Sequence, residues 1–159
     1  MIKETINKLI SELPATVKLV AVSKFHPFEA IEEAYQAGQR IFAESRPQEL
    51  HAKVRRLEEI RIERGEPDYM SDIEWHFIGH LQTNKVRHAV ETFDFIHSVD
   101  SIKLLERISS VASQLGKDVH ILLEVNVSGE KSKSGMTPEE LPMIVERALS
   151  TDRIWLEGL

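Results

Sequence analysis

The sequence predicts an α/β fold built on a parallel sheet, and three observations carry that expectation. Six short apolar runs recur roughly every 20 to 35 residues along the 159-residue chain. Each run but the last is followed by a stretch whose apolar residues fall three and four apart, the spacing of a helix packed on a sheet. The runs VKLVAV (17–22) and VHILLEV (119–125) are dense in branched residues, as strands covered on both faces are. Repeated βα units of this kind form right-handed crossovers on a parallel sheet. The pattern leaves two architectures open: a doubly wound open sheet, or the first six strands of an eight-fold barrel that takes about 250 residues when complete.

Taken in order, Ile2, Ile6, Leu9, Ile10 and Leu13 predict an amphipathic helix over 2–13 that Pro14 ends. Residues 17–23 read as a buried strand, and Pro27 suits the first turn of the next helix, which carries Phe28, Ile31, Ala34 and Tyr35 and closes at Gly38. QRIFAES (39–45) is the second strand. The helix from Pro47 to Arg64 is charge-laced, with Arg55 and Glu59 four apart, and reads as a solvated surface. Gly65 to Asp72 is loop-like and leads into IEWHFIG (73–79), a third strand. A short helix over 83–90 precedes FDFIHSV (93–99), the fourth strand. Asp100 is the expected cap of a helix over 101–115 with Ile102, Leu105, Ile108 and Ala112 on one face, stopped by Gly116. VHILLEVNV (119–127) is the fifth strand. Thr137, Pro138 and Glu140 supply cap, first-turn proline and capping-box partner for a helix through Leu149, and IWLEGL begins a sixth strand.

One position invites chemistry. Lys24 falls where the first strand opens into its loop, the sheet edge at which α/β proteins bind ligands. Partial withdrawal from water favours the neutral amine of a lysine, which can condense with an aldehyde to a Schiff base. The plain alternative is a lysine snorkelling out of a strand end.

Composition bounds the rest. A formal net charge of −6 without a basic stripe argues against a nucleic-acid partner. With no cysteine, neither a disulfide framework nor a thiolate metal site can form. The start, MIKETINKLISEL, lacks the apolar core of a signal peptide, and no window approaches a membrane span, so a cytoplasmic protein with no membrane partner is expected. His76 and His80 have the spacing of a zinc pair on a helix, but along an extended strand and turn they lie about 13 Å apart, so no metal site is expected. The sequon Asn126, Val127, Ser128 ends a buried strand and is expected to be unused.

The segments LVAVSK (19–24), FAESRPQEL (42–50), WHFIGHLQTNK (75–85), IHSVDS (96–101) and VNVSGEKSKSGM (125–136) together resemble the pyridoxal-phosphate homeostasis proteins, a family similar to the N-terminal barrel of alanine racemase. The resemblance runs from Ile2 to Leu159 with its motifs in the family's order. It implies a (β/α)8 TIM-barrel type fold, here its first six strands, and a single pyridoxal-phosphate-binding domain over 1–159 that is incomplete at its C-terminal end. It also implies that Lys24 holds pyridoxal 5′-phosphate as a Schiff base. By the same match Ser45, His76, Ser98 and Val99 are cofactor-binding positions at successive strand ends. Ser45 stands where many relatives carry asparagine, and its shorter side chain would reach the cofactor only through water. Ala43 stands where the family usually has glycine, and it would be strained if φ there is positive. The family's main phosphate loops would lie beyond Leu159, leaving Lys131 and Lys133 as a secondary anion site at most.

The implied function is reversible holding and delivery of the cofactor without substrate turnover, with pyridoxal-phosphate-dependent apoenzymes as candidate recipients. The competing reading is a racemase or decarboxylase of the same fold, which needs a second acid/base group and usually a second domain. A Schiff-base aldolase is the third.

Overall fold

The computed structural model describes residues 1–159, with six helices and six strands. The strands follow one another in the sheet in sequence order, β1 to β6, and every strand pair whose register is defined is parallel. Sequential order is that of barrel-type winding and lacks the reversal that marks a doubly wound sheet. The chain packs as two compact units, Met1–Trp75 and His76–Leu159.

The first unit holds α1 (Ile2–Glu12), β1 (Ala21–Val22), α2 (Phe28–Gln36), β2 (Ile41–Glu44) and α3 (Pro47–Arg64). In α2 the buried residues Phe28, Ile31 and Ala34 recur at helical spacing, whereas α1 buries Ile6 alone. The expected buried strand over 17–23 is much shorter than its apolar run: only Ala21 and Val22 pair, with Phe42 and Ala43 of β2, and Val17 and Val22 remain about half exposed. β1 stands first in the sheet order and pairs on one side only, so valine content alone does not bury it. Ala43 is fully buried and is not among the residues with positive φ, so the alanine adds no strain there. Gly65 takes φ 66 as the left-handed cap of α3. The loop after it is packed rather than free: Met70 is buried and Arg61 Nε donates to the Tyr69 carbonyl at 2.9 Å.

The second unit opens within β3 (Glu74–Phe77) and continues through a 3-10 turn (Thr83–Lys85), α4 (Val86–Thr92), β4 (Phe95–Val99), α5 (Ile102–Leu115), β5 (Val119–Leu123), α6 (Leu141–Leu149) and β6 (Ile154–Gly158). The helix expected over 83–90 is therefore a 3-10 turn followed by an α-helix that runs two residues further. In β5 the buried positions alternate, with Val119, Ile121 and Leu123 inside and His120 and Leu122 partly exposed. Two expected caps move. Ser101 rather than Asp100 caps α5, its hydroxyl accepting from Leu104 N at 3.2 Å. Glu140 accepts from Thr137 N at 2.8 Å and from Thr137 Oγ1 at 3.1 Å, but that reciprocal turn closes ahead of α6, which starts at Leu141. No helix is long and apolar enough to cross a membrane.

Ser101→Ala should lower unfolding stability by about 1 kcal/mol through loss of the cap. Asp100→Ala should lower it by less, and denaturant titration of both variants distinguishes the two assignments.

Candidate functional site

In the first unit β1 ends at Val22, level with Ala43 of β2, so Lys24 and Ser45 each follow a paired residue by two positions at the same end of their strands. Between β1 and α2 the chain makes a tight turn, closed by His26 N donating to the Ser23 carbonyl at 3.1 Å. Lys24 and Phe25 are its two central residues. Phe25 has φ 63, the positive value that the second central position of a type II turn demands and that a phenylalanine rarely adopts. Its amide donates to Glu49 Oε2 at 3.2 Å.

Lys24 is exposed, at the end of an apolar run that led one to expect partial withdrawal from water. The shortness of β1 is the reason, since the pairing stops two residues earlier. Its ammonium lies 6.0 Å from the Phe25 ring centroid and joins no ion pair. Ser45 is half-buried after β2.

Beneath this turn sits a group of residues that the sequence reading missed. Glu44 is completely buried at the end of β2, and Lys53 of α3 is buried beside it, the two forming an ion pair. Lys53 Nζ also donates to the Ser23 carbonyl at 2.6 Å, and the Ser23 hydroxyl donates to Glu44 Oε1 at 2.7 Å. Glu44 Oε2 is buried without a hydrogen-bond partner. The signal was present: Leu50, Lys53, Leu57 and Ile60 fall three, four and three apart, and all four are buried. A lysine on the apolar stripe of a helix needs a buried partner, and α3 is accordingly not the uniformly solvated surface its charges suggested. Its exposed pairing runs from Arg56 to Glu59 at 3.2 Å and to Glu63 at 3.4 Å.

The second unit brings together a different group. His76 of β3 is level with Phe95, Phe95 with His120, and His120 with Trp155. The four rings stack across the strands, with centroids 4.6, 5.9 and 6.2 Å apart and planes within 24°. His76 Nδ1 is hydrogen-bonded to His97 Nε2 at 2.7 Å. His76 therefore lies three residues, about 10 Å of strand, short of the level of Ser98, so these two expected positions sit at different depths. Ser98 is buried and its hydroxyl has no partner; Val99 is fully buried and its carbonyl accepts from Glu124 N at 2.8 Å. Val99 can thus present little beyond packing. Burial holds the Glu124 carboxyl above its usual range, nearby Asp100 adds to the effect, and His80 opposes it.

Burial lowers His97 to about 4, with the neighbouring His76 adding to the shift. The loop after β5 is closed on itself. Asn126 Nδ2 donates to the Glu130 carbonyl at 2.9 Å, and Lys133 pairs with Glu130 at 3.0 Å. Gly135, at φ 113, leaves no room for a Cβ, which would stand 2.6 Å from Asn126 N.

The family model described as alanine racemase, N-terminal domain, matches residues 1–159. The chain is 42% identical over 146 residues to the pyridoxal phosphate homeostasis protein of Vibrio alginolyticus and 40% identical over 146 residues to that of Pseudomonas aeruginosa. It covers 60% and 59% of those relatives' lengths with 92% of its own. Among solved structures it superposes on PipY of Synechococcus elongatus PCC7942 with TM-score 0.89 without pyridoxal phosphate and 0.87 with it bound. The identities are 41% and 40%, and all of this chain covers 69% of that one. An alanine racemase of Clostridium difficile 630, 16% identical, shares the fold with TM-score 0.71 over 98% of this chain and 38% of its own.

His97 should stay neutral in NMR titration until the pH approaches about 4. The unfolded chain takes up that proton at ordinary histidine values, near 6.5, so native stability is full above that pH and falls as the pH drops from there towards 4. His76→Asn should raise the His97 pKa and shallow the decline.

Proposed function

This chain belongs to the alanine racemase N-terminal domain family, and from that premise we propose that it binds pyridoxal 5′-phosphate through Lys24 for cofactor homeostasis, without turning over a substrate. The observation that carries the reading is Lys24 itself: a solvent-reachable primary amine, outside any ion pair, at the C-terminal end of β1. The residues present fit an aldehyde. Lys24 would hold the aldehyde through its amine, as a C=N bond formed with loss of water. When bound, the cofactor supplies an electron sink and a visible chromophore. Ser45 follows β2 as Lys24 follows β1, each two positions beyond a paired residue. Ser98 offers a buried hydroxyl with a free hydrogen-bonding position, and His76 is held by its contact with His97. Residues 1–159 act as one cofactor-binding domain, with its partners the free cofactor and the apoenzymes that receive it, and no nucleic acid.

The relatives' names and the PipY structure with pyridoxal phosphate bound support this reading, while this chain spans about 60% of the curated relatives' length. The enzyme alternative draws on the alanine racemases that share the fold. Against it stands the engagement of both tyrosines. The Tyr35 hydroxyl donates to Asp72 and that of Tyr69 to Glu32 at 2.5 Å, and the carboxylates raise both phenols' pKa values, with burial the larger cause for Tyr69. A phenol committed in this way is a poor acid/base group for a ligand at Lys24.

Titration with pyridoxal phosphate should produce a visible imine band that Lys24→Ala loses, with no racemisation of an amino acid above the free cofactor's rate. An unchanged band in Lys24→Ala overturns the residue assignment. Racemisation that depends on Lys24 overturns the binder in favour of the enzyme.

A further inference from the structure

We propose that Lys53, acting with Glu44, is the positioning residue for Lys24: it holds the Ser23 carbonyl and so fixes the turn that presents the reactive amine. This deepens the reading of Lys24 as the aldehyde-binding group and rests on it.

The Ser23 carbonyl accepts two hydrogen bonds. One, from His26 N at 3.1 Å, closes the turn; the other, from Lys53 Nζ at 2.6 Å, comes from below. Lys24 occupies the first central position of that turn and has no anchor of its own. The next residue is strained, since Phe25 at φ 63 pays for a conformation that glycine would adopt freely. A strained turn persists only where its surroundings over-determine it. Here the restraints are the Phe25 amide on Glu49, the Ser23 amide on the Ala43 carbonyl at 3.0 Å, the Ser23 hydroxyl on Glu44, and Lys53 on the Ser23 carbonyl. Lys53 is the one charged donor among them, and charge-assisted bonds in buried settings are the stronger ones.

The buried pair needs an explanation of this kind. Apolar residues of similar volume in place of a buried ion pair are often neutral or stabilising, so fold stability alone gives no reason to place Glu44 and Lys53 inside. The Ser23 carbonyl and hydroxyl, both bound to the pair, supply one. If the turn relaxes, Lys24 samples directions in which its amine no longer meets the aldehyde, and the population able to condense falls in proportion.

The test compares the parent with Lys53→Met and with the double variant Glu44→Gln, Lys53→Met, which removes both charges at nearly constant volume. Imine absorbance is titrated with pyridoxal phosphate across pH, and thermal midpoints are recorded beside it. Lys53→Met should weaken imine formation by about tenfold, the equivalent of one charge-assisted hydrogen bond. The double variant should melt close to the parent yet keep the weakened band, because the bond to the Ser23 carbonyl is still missing. Parent-like titration in a folded double variant overturns the proposal. Should that variant fail to fold, Ser23→Ala, which removes only the hydroxyl link to Glu44, must weaken the band by a smaller factor, and an unchanged band overturns the proposal as well. Borohydride reduction and peptide mapping of the parent keep the two readings apart. A label away from Lys24 refutes the reading of Lys24, whereas a label on Lys24 together with indifference to Lys53 refutes the positioning role alone.

Discussion

Val119, Ile121 and Leu123 are buried while His120 and Leu122 are not, and this alternation under α5 is the constraint from which the second unit is built. A strand that must hide every second side chain beneath a helix leaves the others on the opposite face. That face is where His76, Phe95, His120 and Trp155 stack and where His76 meets His97. Parallel pairing brings residues of successive strands level, so polar and aromatic groups far apart in sequence collect at one depth. The depressed His97 pKa follows from the same packing, since a ring half removed from water beside a second imidazole gains little from a proton.

In the first unit the same constraint meets an exception. Glu44 and Lys53 occupy positions where an apolar residue would fit the pattern, and both are buried. Taking two charges out of water is repaid only by close geometry and by further hydrogen bonds. Ser23 provides them through its hydroxyl and its carbonyl. Ser23, the residue the pair holds, immediately precedes Lys24, which is itself exposed and unpaired. Rigidity below and freedom above suit a group that must be reachable by a reactive aldehyde and still point in a fixed direction.

Much of this was legible in the sequence. Helical spacing placed α1, α2, α3 and α5 within a residue or two, because each carries an uninterrupted apolar stripe or a clear stop such as Gly65 or Gly116. The recurrence of strands gave the parallel sheet, and five motifs gave the family. Pairing is a tertiary property, however, and residues 17–20 read as a buried strand although only Ala21 and Val22 find partners. The Ser101 cap was obscured by Asp100, an equally good capping residue one position earlier. The Glu44 and Lys53 pair went unread because a charge-rich helix suggests solvent until the lysine is placed on its buried stripe. His97 was passed over since nothing in FIHSV says which residue its ring will face; the register of β3 with β4 decides that.

Which amine meets the cofactor is tested most directly by a crystal structure of the protein grown with pyridoxal phosphate. Continuous electron density from Lys24 Nζ to the cofactor's aldehyde carbon, with Lys53 still on the Ser23 carbonyl, is the expected result. Density joining the cofactor to Lys53, Lys131 or Lys133, with Lys24 left free, would contradict it.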